Sequence, residues 1–293
     1  MEDPAVERGT RRTDTVRSLY RLVRLRTSAG APVLTVAGWW TLTGRSMRHD
    51  ALPIVYSAAS AFSFIAFAQV YNDIMDVDLD AMSKPERPLP SRAISVRSAW
   101  FLAAALAAAS LGAALAVDFD LVLLSGCCVL LGAAYSPWLK NTVLVGNIAV
   151  ALVSSCSFAL AAAAVQRVTP LLLLGQALVF CIVLGNEFYK TAADADADSQ
   201  HGLRTMATVC QPRATAIAIA VCWVLLMAAF AASAFLGAWA FAAAGTAMVL
   251  LPAGRAVIAS HGAAASADSL ARAGQRWWLW AWTLGLPTLI LLR

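Results

Sequence analysis

Several polar side chains in this sequence are spaced so that they could do chemistry together. NDIMDVDLD places Asn72, Asp76 and Asp80 at i, i+4 and i+8, so one continuous helix would align them on a single face, with Asp73 three residues before Asp76. Asp78 would point elsewhere. In NEFYKTAADADAD, Glu187, Lys190, Asp194 and Asp198 follow the same spacing of three and four, and Asp196 lies off that face. Two such lines of carboxylate oxygens suit a hard divalent cation, because Mg²⁺ takes one or two carboxylates and completes its shell with phosphate oxygens and water. Lys84, Arg87, Lys140, Lys190 and Arg204 supply the charge-assisted donors that phosphate accepts. The combination predicts Mg²⁺ on a diphosphate, whose charge is stabilised as a carbon–oxygen bond breaks. A calcium loop is excluded at both D-x-D-x-D segments. Its Gly and Glu positions hold Ala81 and Arg87 in the first and Ser199 and Thr205 in the second.

Each cluster also has a plainer explanation. Acids are solvated where helices leave a bilayer, which suits Asp78, Asp80 and Glu86, and bases such as Lys84, Lys140 and Arg204 mark inner helix ends.

The elements that must position these groups are read from the apolar runs. With 293 residues, 60% apolar and 13% charged, the chain has the composition of an all-α integral membrane protein. Charge-free runs cover 27–44, 51–72, 98–117, 121–139, 141–166, 168–186, 214–254 and 277–292. A span needs about 20 residues, so the run from 214 divides, with its break expected at 233–237. The count is then nine transmembrane helices. With the N-terminus cytoplasmic, 18 of the Lys and Arg residues fall in inner segments and 4 in outer ones, namely Arg45, Arg48, Arg167 and Arg293. Residues 1–26 form a basic cytoplasmic segment with seven arginines and no apolar run, and 27–293 form the membrane domain. No removable signal segment is expected. Cys127, Cys128, Cys156, Cys181, Cys210 and Cys222 lack C-x-x-C spacing and are expected to be packing residues. The formal charge of +5 comes without alternating basic and aromatic residues, and nucleic-acid binding is excluded on that ground.

The motifs carry a resemblance. NDIMDVDLD from Asn72, KPERP at 84–88, AYSPWLK at 134–140 with Gly146 and Asn147 downstream, and the pair Asp194 and Asp198 followed by Gly202, Leu203, Arg204 and Thr205 resemble, in order, the motifs of the UbiA superfamily of intramembrane prenyltransferases. RLVRLRTSAG, 21–30, resembles that family's entry to its first helix. The resemblance implies nine helices around a central cavity, with Asn72, Asp76, Asp80, Asp194 and Asp198 holding Mg²⁺ and Asp73 in the same motif. It also implies Lys84, Arg87, Lys140, Lys190 and Arg204 on the diphosphate of a prenyl substrate at the cytoplasmic face of the cell membrane. Tyr71, Tyr135, Glu187 and Phe188 are then cavity candidates. Glu187 and Lys190 resemble the E-x-x-K of branches that prenylate glycerol phosphates or quinone precursors, but Thr191 and Asn186 depart from the residues usual beside it.

Three functions follow from these residues. A transferase would pass the prenyl group to a small acceptor, aromatic or a quinone precursor. A terpene cyclase of the same superfamily would capture the allylic cation within its own chain and would use aromatic faces such as Trp39, Phe64 and Phe67. A cation transporter accounts for the acids but not for Lys84, Arg87, Lys140 and Arg204, which would repel its cargo.

Overall fold

Inside hydrocarbon a chain must satisfy its own backbone hydrogen bonds, and these apolar runs do so as helices. The computed structural model describes residues 15–43, 51–193, 195–200, 202, 204–210 and 212–237. Residues 15–22 form α1, followed by α2 (Leu25–Ser28), α3 (Gly30–Thr43), α4 (Ala51–Met75), α5 (Val77–Ser83) and α6 (Val96–Leu115). Next come α7 (Phe119–Ala134), a π turn (Tyr135–Leu139), α8 (Val145–Val165) and α9 (Pro170–Ala193), then α10 (Ala195–Gln200), α11 (Met206–Val209) and α12 (Pro212–Phe235). Among the described residues there is no strand, and six helices are long and apolar enough to cross a membrane.

The first expected span is helical over the 14 residues of α3, about 21 Å at 1.5 Å per residue. The break expected at 233–237 is present, since α12 ends at Phe235 and Gly237 takes a φ of +89°. The last two expected spans lie outside the described residues. Two boundaries differ from the charge-free runs. Helix α9 continues seven residues beyond Asn186 and so carries Glu187 and Lys190 on its last turns. Helix α7 gives way at Tyr135 to the π turn, where Pro137 removes one backbone donor and Lys140 N instead reaches Tyr135 O at 2.7 Å.

Helix α4 is the centre of the bundle and packs against α3, α6, α7 and α8, while α9 packs between α8 and α12. Hydroxyl groups join the central helices: Ser60 Oγ on α4 lies 3.1 Å from Ser110 Oγ on α6 and 2.8 Å from Ser125 Oγ on α7. Thr35 on α3 donates to the Ser157 carbonyl on α8 at 2.7 Å. Such contacts, together with small residues, hold membrane helices where water gives no hydrophobic drive. Trp39 and Phe64 are fully buried in these packed layers and are core residues rather than a lining for a reactive cation.

One end of the bundle is assembled from opposite-running helices. The ends of α4, α7 and α9 and the start of α8 meet there, as the side-chain contacts below show. At the other end Arg167 reaches the Leu42 carbonyl at the close of α3.

Gly38 permits the close approach of α3 to α8, because a Cβ there would lie 2.5 Å from the Phe158 carbonyl oxygen. Gly38→Ala is expected to destabilise the protein by about 1–3 kcal/mol, the cost of overpacking a filled interior. Thermal unfolding in detergent checks this, and wild-type stability would rule out the contact.

Candidate active site

A charge at the end of an apolar helix needs a partner or water, and the structure supplies partners. Helix α4 stops at Met75. Asp76 has φ −96° and ψ 8°, and the chain re-enters a helix as α5. Backbone bonds of helical spacing still run through this point, Asp76 N to Asn72 O and Asp80 N to Asp76 O, and the side-chain partners divide the expected line of Asn72, Asp76 and Asp80 into two groups. In the first, Asn72 Nδ2 donates to Asp76 Oδ2 at 3.0 Å, and Lys140 Nζ donates to the same oxygen at 2.5 Å. Ser136 Oγ adds a bond to Asn72 Oδ1 at 3.2 Å. Lys140 reaches this place because the π turn directs the chain back toward α4.

In the second group Asp80 accepts from Arg87, and Arg87 also reaches Asp73 Oδ1 at 3.5 Å. That oxygen of Asp73 accepts from Arg24 Nη2 at 2.6 Å. Asp73 and Asp80 are each only 4% exposed, so the two arginines are their counter-charges. Pro85 ends the helical turn after Ser83, and Leu89 and Ile94 bury themselves beside Leu22, Phe67, Val70 and Ile74. This packing folds the KPERP loop back so that Arg87 faces the acids. Lys84, Asp78 and Glu86 remain exposed.

The second motif begins on α9. Lys190 Nζ pairs with Glu187 Oε1 at 2.5 Å, and Thr191 Oγ1 donates to the Glu187 carbonyl while accepting from Asn147 Nδ2 at 3.1 Å. Asp194 lies outside the described residues, and Asp198 is half-buried on α10. Arg204 is exposed, and its backbone N–H donates to Asn141 Oδ1 at 2.6 Å. Tyr135 opens the π turn whose following residue, Lys140, meets Asp76.

Two cavity candidates also pack between helices. Tyr71 makes an edge-on ring contact with Trp100 and a tilted one with Phe67, both at 5.6 Å, so its ring belongs to the contact between α4 and α6. Phe188 is 3% exposed in the core cluster shared with Leu178, Cys222 and Leu226. It is one residue, hence about 100° around α9, from Glu187. Arg24, Ser136 and Asn141 were not singled out from the sequence. Ser136 lies within the motif at 134–140 and Asn141 just after it, whereas Arg24, in the stretch 21–30, was one basic residue among seven.

Among the described residues no three acidic, His or Cys side chains converge to cage a metal by themselves. The oxygen donors at Asn72, Asp76 and Asp198 do fit a cation that draws its other ligands from phosphate and water. The family model for UbiA prenyltransferases matches residues 31–282. The chain belongs to the UbiA prenyltransferase family. Within that family, a digeranylgeranylglyceryl phosphate synthase from Methanoregula boonei is 30% identical over 253 residues, covering 83% of this chain and 87% of that protein. A solved structure concerned with digeranylgeranylglyceryl phosphate synthase in membranes matches with a TM-score of 0.72 at 17% identity, covering 94% of this chain and 97% of that one. A UbiA homolog from Archaeoglobus fulgidus bound to DMAPP and Mg²⁺ matches at 0.68 and 19% identity, covering 93% and 99%. This UbiA chain is thus a multi-pass membrane protein, all-helical over its described residues apart from turns and loops.

Removing Lys140 from the UbiA site leaves Asp76 without its cation. Lys140→Met is expected to cost about 1–3 kcal/mol of stability, the penalty for an orphaned polar group. Lys140→Met with Asp76→Asn is expected to recover at least half of that loss in the same thermal unfolding measurement. Additive losses would show that the two side chains do not interact.

Proposed function

We propose that the protein is a Mg²⁺-dependent prenyltransferase that ionises a prenyl diphosphate at the cytoplasmic end of a nine-helix bundle and passes the prenyl group to a lipid acceptor. The observation that carries this reading is Asp76, held by Asn72 and Lys140 at the end of α4, beside the buried group of Asp73, Asp80 and Arg87. A diphosphate entering between the motifs meets oxygen ligands for a cation on both sides and ammonium and guanidinium donors around them.

Bound Mg²⁺ would neutralise part of the diphosphate charge, with Asn72, Asp76 and Asp80 on one side and Asp194 and Asp198 on the other as its ligands. Lys140 and Arg87, released in part from their carboxylates, donate to the phosphate oxygens, and Lys84, Lys190 and Arg204 add positive charge at the rim. These donors stabilise the departing diphosphate as the carbon–oxygen bond lengthens. The apolar helices exclude water from the allylic cation until the acceptor oxygen attacks, and the acceptor proton leaves with the diphosphate or to a carboxylate nearby.

The acceptor reading is revised from an aromatic or quinone precursor to a prenylated glyceryl phosphate. Its support is the 30% identity, over 83% of this chain, to a protein whose product carries two geranylgeranyl groups on glyceryl phosphate. Lys190 and Arg204, both exposed at this end, offer charge for a second phosphate.

The test uses purified protein with Mg²⁺, geranylgeranyl diphosphate and geranylgeranylglyceryl phosphate. The expected result is acceptor-dependent release of diphosphate with a doubly prenylated product. Asp76→Ala and Asp194→Ala are each expected to slow it by about 10²-fold or more. Release of a hydrocarbon without any acceptor would identify a cyclase instead, and full rates in both variants would remove the metal assignment.

A further inference from the structure

Asp73 and Asp80 place two negative charges in nearly complete burial, and Arg87 is one positive charge that touches both. Arg24 is the second cation. It belongs to neither motif and lies 49 residues from Asp73 in sequence. Both arginines reach the same oxygen, Asp73 Oδ1, with Arg24 at 2.6 Å and Arg87 at 3.5 Å. Arg24 therefore holds the near position on that oxygen and leaves Arg87 mainly on Asp80.

The backbone presents Arg24 from a fixed turn. Its φ of 45° and ψ of 55° are left-handed, a conformation that a residue with a side chain keeps only where its surroundings impose it. Leu22 on one side is fully buried against the ends of α4 and the KPERP loop. On the other side Ser28 N donates to the Arg24 carbonyl, and Ser28 Oγ donates to the Val23 carbonyl.

We infer that Arg24 is a positioning residue for diphosphate capture: by neutralising Asp73 it limits the pull of that carboxylate on Arg87 and keeps the Arg87 guanidinium available to phosphate. This rests on the diphosphate-site reading above. Without Arg24, Asp73 would retain Arg87 as its sole cation in a setting of low dielectric, where such attraction is strong. The basic segment before the first span is thus part of the site as well as a topology signal.

The test measures binding of inorganic pyrophosphate with Mg²⁺ by calorimetry, on the full chain in detergent micelles, beside KM and kcat for geranylgeranyl diphosphate. Arg24→Gln is expected to weaken pyrophosphate and raise KM by about tenfold, the equivalent of one charge-assisted bond, with a smaller change in kcat. Arg24→Lys keeps the charge and is expected to stay within about threefold of wild type. In an Asp73→Asn background Arg24→Gln is expected to change pyrophosphate affinity little, since no carboxylate charge is left to neutralise. Wild-type affinity in Arg24→Gln would overturn the inference. So would the same loss in both backgrounds, which would make Arg24 a direct phosphate ligand. If Arg24→Gln does not fold, the Lys variant and the double variant decide the matter by the same comparison. Normal pyrophosphate binding without prenyl transfer would defeat the functional reading and leave this inference standing, whereas a wild-type protein that ignores pyrophosphate defeats both.

Discussion

Everything at the active end depends on the need to compensate ionised carboxylates where helices emerge from hydrocarbon. Asp73, Asp76 and Asp80 all sit near the end of α4, and leaving any of them unpaired and dry would cost several kcal/mol. The chain answers with Arg24 from before the first span, Arg87 from a loop and Lys140 from a π turn. These partners come from three separate stretches of sequence, so the ion pairs also fix how α4, the KPERP loop and the end of α7 are arranged. The same charges that make a binding site are therefore responsible for closing the bundle at that end.

The opposite problem, joining apolar helices that gain little by leaving lipid, is solved in the middle of the bundle. Ser60, Ser110 and Ser125 tie three helices through hydroxyl groups, and Gly38 brings α3 against the α8 backbone. This central rigidity matters to the site because α4 ends in the first acidic motif and α8 begins beside Asn147, which reaches Thr191 on α9. Packing in the interior thus sets the distance between the two motifs.

Much of this was legible in the sequence because hydrocarbon imposes a simple rule on composition. Charge-free runs marked the helices, and a run twice the length of a span required the break that follows α12. Of the residues that the motifs single out, Asn72, Asp76 and Lys140 meet in one group and Asp73, Asp80 and Arg87 in another. What the sequence did not reveal were the partners that loops bring to the acids. Asp80 follows Asp73 by seven residues and Asp76 by four, so on a helix it faces both, and Arg87 from the KPERP loop groups it with Asp73. Tyr71 and Phe188 carry suitable side chains in suitable motifs, yet a shift of one residue on a helix turns them into neighbouring helices. Arg24 could not be distinguished from its basic neighbours, because its importance comes from a left-handed turn and a contact 49 residues away.

The π turn at Tyr135–Leu139 has one more consequence. It accommodates one residue more than an α-turn would, closing with a hydrogen bond from Lys140 to Tyr135. Losing a single residue there would turn that bond into the ordinary bond of an α-turn, and because a π turn is an α-turn with one residue inserted, Lys140 would keep nearly the same facing relative to Tyr135. The pairing of Lys140 with Asp76 therefore tolerates a change of length inside the turn better than a change of charge at its end.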